Sequence, residues 1–264
     1  MEGKTVLNEQ YHTWVQAEKT ILWNIYNCLV KIGAFPEETT HVREAIDRLE
    51  DLFLLVVVGE FNSGKSAFIN TLLEQKILEE GPTPTTDLIN ILKYGEGPRS
   101  RVVDNVRLTY FPLEFLQNVN IVDTPGTNSI IREHDKLTMN FIPQADFVVF
   151  VISVDRPLTE SEREFLELIS YKWKRKILFL LNKIETKDQE DIDAILTYVR
   201  GEGQKILGID PLIFPVSVKQ AFQAKQTGNN ALLQQSRFGE VERYLIHALN
   251  EEERIRLKLL NPIY

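Results

Sequence analysis

The chain has 264 residues, with 30 Lys and Arg against 38 Asp and Glu, a formal net charge of −8 and one cysteine, Cys28. That length has room for one large α/β domain with a small appendage, and apolar and charged fractions of 43% and 26% read as soluble and globular. The acidic balance argues against nucleic-acid binding driven by phosphate attraction and against a polybasic grip on anionic lipid, and a single cysteine excludes an internal disulfide framework. No apolar run reaches membrane-spanning length, no signal peptide opens the chain, and the four histidines are scattered without a metal cluster.

In chain order, Thr5 to Ile32 reads as one long helix stopped by Gly33. Leu7, Tyr11, Trp14, Ile21, Ile25, Cys28 and Ile32 fall close to a heptad seam, which Leu22 and Leu29 widen. The polar face mixes Glu9, Gln10, Glu18, Lys19 and Asn24 and is poor in Lys and Arg, so a partner helix is expected rather than a membrane surface. The expected partner is the run from Val241 to Leu260, where Val241, Leu245, Ala248, Ile255 and Leu259 recur at helical spacing. A shorter helix, with Thr39 or Thr40 as N-cap and Val42, Ala45, Ile46, Leu49 and Leu52 on its apolar face, leads into the next element.

Phe53 to Ser66, F-L-L-V-V-V-G-E-F-N-S-G-K-S, organises the rest. A branched apolar run predicts a strand buried on both faces, and it empties into the eight-residue G-x-x-x-x-G-K-S loop from Gly59 to Ser66. A helix follows, with Ala67, Phe68, Ile69, Leu72 and Leu73 at helical spacing. A glycine-rich turn between strand and helix presents backbone N–H groups and the positive end of a helix to a polyanion, which makes this a nucleotide phosphate site. Gly59, Glu60, Phe61, Asn62, Ser63, Gly64, Lys65, Ser66 and Ala67 are the expected phosphate contacts. Lys65 supplies a point charge to the β and γ oxygens, and the Ser66 hydroxyl is placed for Mg2+.

Downstream, Gly81 to Asp87 (G-P-T-P-T-T-D) is a loop rich in hydroxyls. Leu88 to Leu92 and Val106 to Phe111 read as strands. Asn118 to Val122 leads into Asp123-Thr124-Pro125-Gly126, 58 residues after Lys65 (123 − 65). Phe147 to Ile152 is a buried strand ending at Asp155-Arg156-Pro157-Leu158-Thr159, with a helix from near Glu160. Ile177 to Leu181 closes on Asn182-Lys183-Ile184-Glu185, and Leu212 to Val216 delivers Ser217-Val218-Lys219.

The phosphate loop, threonine loop, D-x-x-G, N-K-x-[DE] and S-x-K in this order identify a GTPase. In GTPases the threonine loop supplies a hydroxyl to Mg2+ and a backbone that senses the γ phosphate, a role assigned to Thr86 with Thr85 as nearest competitor. The Asp123 carboxylate holds Mg2+ through water and the Gly126 N–H meets the γ phosphate. Asn182 and Lys183 pack around the base, and Ser217, Val218 and Lys219 resemble the loop that brings a backbone N–H to the guanine O6. The acid that reads guanine is a glutamate, Glu185, whose longer reach keeps an ATPase open as an alternative.

The spellings G-E-F-N-S-G-K-S, P-T-T, V-D-T-P-G-T-N, A-D-F-V-V-F-V-I-S-V-D-R-P-L-T-E-S-E and E-R-I-R-L-K-L together resemble the bacterial dynamin-like proteins, in particular the FZO-like branch of cyanobacteria and chloroplasts. The resemblance covers almost the whole chain. It implies a three-layer α/β GTPase domain with a mostly parallel central sheet at 39–238, between neck helices at 1–38 and 239–264. It further implies GTP and GDP as ligands, Mg2+ as metal, and hydrolysis coupled to head-to-head dimerisation, stalk-mediated assembly and membrane remodelling, with no nucleic-acid partner. The stalk and the lipid contact are expected beyond this chain, which looks like a head-and-neck fragment, cytoplasmic and peripherally associated with a thylakoid or plasma membrane. Thr127 stands where a catalytic glutamine often follows D-x-x-G, and Phe61 cannot orient water, so Asn62, Lys65 and the backbones of Thr86 and Gly126 are the expected catalytic groups. Asp155 or Arg156 is expected to cross the dimer interface, with a local salt bridge capping the next helix as the competing role, and Asn128 or Ser129 lies in the switch after D-T-P-G. The rival function is a Ras-like or translation-factor-like switch GTPase, which needs no long apolar-striped helix before its first strand.

Overall fold

The structure is a computed structural model that describes residues 2–50, 52–79, 88–103, 106–124, 141–173 and 176–248. The chain divides into two compact units, Met1–Phe53 with Leu245–Tyr264, and Leu54–Tyr244.

In the first unit, helix α1 (Glu2–Ile32) turns at Gly33, whose φ of +70° ends the helix in the left-handed region, and runs back as α2 (Pro36–Glu50). Pro36 starts α2 with its φ preset, and the Glu38 carboxylate accepts the Phe35 N–H at 3.2 Å. The expected caps Thr39 and Thr40 therefore lie inside the helix, where both hydroxyls donate to the Pro36 carbonyl at 2.8 Å. Leu22 is buried with Val42 and Ile46, and Trp23, Tyr26, Leu29 and Ala45 pack against them. The Arg43 guanidinium lies over the Trp23 ring, 4.9 Å from its centroid.

The described half of the heptad seam behaves differently from its expectation: Ile21, Ile25, Cys28 and Ile32 are exposed, while of the residues that widened the stripe Leu22 is buried and Leu29 partly buried. A three-residue turn brings α2 back at once, and α2 meets the Leu22 and Leu29 side of α1. The side chains of Leu7, Tyr11 and Trp14, and the C-terminal run beyond Ala248, lie outside the described residues.

The second unit is built on one eight-stranded sheet. Its strands are β1 (Phe53–Val58), β2 (Ile89–Tyr94), β3 (Arg99–Val103), β4 (Val106–Phe111), β5 (Val119–Asp123), β6 (Phe147–Ser153), β7 (Ile177–Asn182) and β8 (Leu212–Val216). They lie in the order β3-β4-β2-β5-β1-β6-β7-β8. The pairs β1 with β6, β6 with β7, β7 with β8 and β2 with β4 are parallel, while β2 against β5 and β3 against β4 are antiparallel. This is the mostly parallel α/β sheet that the sequence predicts. The unpredicted strand is β3, R-S-R-V-V, which is exposed along its whole length and carries no buried alternation by which to recognise it.

The central strands are buried on both faces, as continuous apolar runs require. On one face Val56, Val58, Phe150, Ile152, Phe179 and Leu181 pack with Phe165, Leu166 and Ile169 of α4 (Glu160–Trp173) and with Ile192, Val199 and Leu207 of α5 (Gln189–Leu207). The opposite parity, Leu55, Val57, Val149, Val151, Leu178 and Leu180, is equally buried. Two helices on that side are α3 (Lys65–Leu72) and α8 (Phe238–Ala248), where Phe68 meets Phe238 at 6.0 Å between ring centroids and Tyr244 stacks by Phe147 at 6.1 Å. The remaining helices, α6 (Val218–Thr227) and α7 (Asn230–Gln235), follow β8. The layers bring the C-terminal ends of β1, β6 and β7 together at one edge, the position where open α/β sheets bind ligands.

Candidate functional site

β1 ends at Val58, and the chain leaves it through Gly59 at φ +146°. A Cβ there would stand 2.2 Å from the Val151 carbonyl oxygen of β6, and one on Gly64, at φ +103°, would stand 2.2 Å from Asn182 Nδ2. Both glycines are demanded by neighbouring protein atoms before any phosphate is considered. Asn62 takes φ +61° without being glycine, a strained conformation at the tip of the loop.

Lys65 opens α3 and is buried. Its Nζ donates to the carbonyls of Gly59 at 3.0 Å and Glu60 at 2.9 Å. Burial pushes the pKa of this ammonium down, against the pull of Asp123, Glu162 and Glu60. Ser66 Oγ donates to Asp123 Oδ2 at 3.0 Å, which joins the phosphate loop to the end of β5. Asp123 is fully buried, and desolvation raises its pKa to about 6 although Lys65 opposes the shift. Its neighbour Thr124 donates to the Val57 carbonyl at 3.0 Å, tying D-T-P-G to β1, a contact the sequence did not reveal.

Three buried side-chain oxygens without a hydrogen-bond partner gather on this edge: Ser63 Oγ, Asp123 Oδ1 and Asn90 Oδ1. Asn90 faces Asp123 directly across the β2 and β5 pair, so the two side chains share one face of the sheet. Buried acceptors are ordinarily satisfied, so an orphaned carboxylate oxygen beside a serine hydroxyl fits a hydrated hard cation. Ser66 and Asp123, two of the residues expected to hold Mg2+, are brought together here. Thr86 and Gly126, with Thr127, Asn128 and Ser129, lie outside the described residues.

At the base end, Asn182 is buried and acts as a junction. Its Nδ2 donates to the Ser63 carbonyl at 2.9 Å, while Oδ1 accepts from the backbone N–H of Lys183 at 2.8 Å and of Val218 at 3.1 Å. One amide thus joins the phosphate loop, N-K-I-E and S-V-K. Lys183 takes φ +71°, and Glu185 follows on a short exposed turn. Ser217 caps α6 by accepting from the Gln220 N–H at 3.2 Å, and Lys219 is exposed.

The D-R-P-L-T-E-S-E run borders the phosphate loop from the other side. A cavity of about 350 Å3 opens between Glu60, Phe61 and Asn62 on one wall and Asp155, Arg156 and Lys183 on the other. Asp155 pairs with Lys187 at 3.6 Å, reaching the turn after β7 instead of making the local, helix-capping bridge weighed from sequence. The helix cap is a different residue: Thr159 N–H donates to Glu162 Oε2 at 3.1 Å, and Glu162 N–H donates to Thr159 Oγ1 at 3.4 Å, a capping box at the start of α4. The Arg156 guanidinium is exposed and makes no ion pair or hydrogen bond among the described residues.

Comparison with known proteins agrees with this geometry. The pattern of the dynamin family matches residues 55–115 and 100–184. The chain is 37% identical over 289 residues to the probable transmembrane GTPase FZO-like, chloroplastic, of Arabidopsis thaliana, covering 99% of this chain and 31% of that protein. It is 23% identical to the bacterial dynamin-like protein of Nostoc punctiforme over 67% of this chain and 34% of the relative. A solved bacterial dynamin, from an oligomerised pair described as sensing and tethering membranes, superposes with a TM-score of 0.69 over 94% of this chain and 45% of that one at 18% identity. The chain therefore spans about a third of the length of these two curated relatives. Among the described residues no helix is long and apolar enough to cross a membrane. With the phosphate loop, the hydrogen-bonded Ser66 and Asp123 pair and the Asn182 junction in place on this sheet, the chain belongs to the dynamin family of GTPases.

Proposed function

We propose that this chain is the head and part of the neck of a longer dynamin-like protein, and that the head binds GTP with Mg2+ and hydrolyses it to GDP and phosphate. The observation that carries the reading is the set of buried Lys65, half-buried Ser66 and buried Asp123, in which the Ser66 hydroxyl and the Asp123 carboxylate meet at 3.0 Å with one carboxylate oxygen left unpartnered. Ser66 and Asp123, with Thr86, are the residues that would hold the metal. Bound Mg2+ supplies charge neutralisation at the β and γ phosphate oxygens. Lys65 leaves the carbonyls of Gly59 and Glu60 and takes its positive charge to the same oxygens. The backbones of Thr86 and Gly126 position the attacking water, and Asn62 brings its amide toward the β–γ bridge. Asn182, Lys183 and Glu185, with Ser217, Val218 and Lys219, enclose the guanine.

The head works as a dimer across the nucleotide face, and the turn at Asp155 and Arg156 lies on the rim of that face. Since Asp155 is engaged by Lys187, Arg156 is the side chain that crosses to the second head. The coupled outcome is membrane remodelling, with lipid contact and stalk assembly carried by parts of the longer protein and with peripheral membrane association of this portion. The family match and the name of the chloroplastic relative support that part of the reading.

The direct test is displacement of a fluorescent GDP analogue in the presence of Mg2+. GTP is expected to displace it, ATP to displace it far more weakly, and Lys65→Ala to abolish binding. Equal displacement by ATP contradicts the guanine assignment, and absence of binding by the unmodified chain contradicts the whole reading.

A further inference from the structure

Glu60 occupies a position of the phosphate loop that the motif leaves free, yet it is held at both its side chain and its carbonyl. Its Oε1 accepts from Thr159 Oγ1 at 2.6 Å and from Ser161 Oγ at 2.9 Å, residues about a hundred positions away in sequence. Its backbone lies beside the Glu162 carboxylate, which the capping box ties to Thr159. Its carbonyl accepts from Lys65 Nζ at 2.9 Å. We propose that Thr159, Ser161 and Glu162 form a clamp on Glu60 that positions the phosphate loop, and through it Lys65, for nucleotide. The proposal rests on the nucleotide reading given above.

Packing alone does not require this arrangement. The start of α4 is already anchored by Leu158, Phe165 and Leu166, all buried in the core. Thr159 completes its capping box with Glu162 alone, so neither its bond to Glu60 nor that of Ser161 is needed to begin the helix. The clamp also sets two carboxylates side by side: Glu162 is 3% exposed, and burial together with the Glu60 charge pushes its pKa up to about 7. Burying a carboxyl beside another is costly and persists where something specific is gained. Here the gain is that Glu60 is fixed at its side chain and its carbonyl, so that the carbonyl stands where the Lys65 ammonium is held before phosphate arrives. An error of an ångström in this loop is transmitted directly to the charge that meets the β and γ oxygens.

The experiment compares the parent chain with Thr159→Val/Ser161→Ala, which removes both hydroxyls at nearly constant shape, and with Glu60→Ala, which alters a partly exposed loop residue. Thr159→Ser serves as the conservative rescue. Affinity for a fluorescent GDP analogue with Mg2+, kcat and KM for GTP, and the apo melting temperature are measured for each. The clamp predicts that the double variant and Glu60→Ala bind nucleotide roughly tenfold or more weakly and lose kcat as well. Thr159→Ser is expected to stay within about twofold of the parent. A merely structural role would lower the melting temperature and leave affinity and kcat in place. Parent-like affinity and kcat in a folded Glu60→Ala overturn the clamp while leaving the nucleotide reading intact. If the parent binds no guanine nucleotide, the nucleotide reading falls and the clamp falls with it.

Discussion

The two ends of the nucleotide site are built to different standards. At the phosphate end Lys65, Asp123 and Ser63 are buried, Glu60 is held at its side chain and carbonyl, and Gly59 and Gly64 take positive φ where an added Cβ would stand 2.2 Å from a neighbouring atom. At the base end the backbone is fixed around Asn182, Ser217 and Val218, all buried, while the side chains of Glu185 and Lys219 are exposed. The difference teaches that the phosphate end is set by the fold before ligand arrives. The side chains proposed to read the base project from that framework into solvent. A triphosphate is the common part of every candidate substrate, and a site that fixes the common part rigidly can vary the discriminating part at small cost to stability.

The largest break in this comparison comes from Lys65→Ala, which removes the one buried cation of the phosphate end. GTP turnover is expected to fall by at least about a hundredfold, as for loss of a transition-state electrostatic contact. Steady-state phosphate release measures it, and a loss below about fivefold would remove Lys65 from its assigned role. Next is Asn182→Ala, the residue that joins the two ends. It leaves the Ser63 carbonyl and the Val218 N–H without partners and is expected to cost about 2–4 kcal/mol in denaturant unfolding without nucleotide.

A third change tests how tightly the phosphate end is packed. The folded pKa of Glu162, about 7, lies above its ordinary value of 4.5, so the folded state holds the proton more tightly than the unfolded chain. The stability this group contributes is full below about pH 4.5 and is lost as pH rises through about 7, a swing on the order of 3 kcal/mol. Glu162→Gln is expected to lack that component, so the stability difference between parent and variant should slope across this window. A flat difference would mean that the carboxyl is not desolvated as described. The smallest effect belongs to the base end. Glu185→Ala is expected to leave unfolding within about 0.5 kcal/mol of the parent and to reduce the preference for GTP over ATP by roughly tenfold. Unchanged selectivity would place base recognition elsewhere.

Much of this site was legible because its motifs are local. Gly59, Gly64, Lys65 and Ser66 lie within eight residues, and each strand that precedes a motif is an apolar run that a two-faced buried strand requires. The clamp on Glu60 was not legible as a contact, since Thr159 and Ser161 reach it only through the crossover between β1 and β6. The D-R-P-L-T-E-S-E spelling nevertheless stood out as unusual, and its hydroxyls and Glu162 now have a physical reason to be there. The base-end junction was half legible: N-K-I-E was read for guanine, whereas Asn182 also spends its amide on Ser63 and Val218. That the described half of the α1 seam lies away from α2 was not legible, because heptad spacing does not say which of two adjacent stripes a neighbouring helix will cover. That choice was made by the short turn at Gly33 and by the apolar face of α2. Strand β3 escaped notice because an exposed edge strand has no buried parity to display.

The measurement that tests the central claim most directly is GTP turnover per molecule as a function of head concentration, with Mg2+ and saturating nucleotide. The account predicts a rate that climbs with concentration and then levels, and a weaker climb in Arg156→Ala, because a second head completes the site. A rate that is flat across the whole range, or no turnover at all, would contradict it.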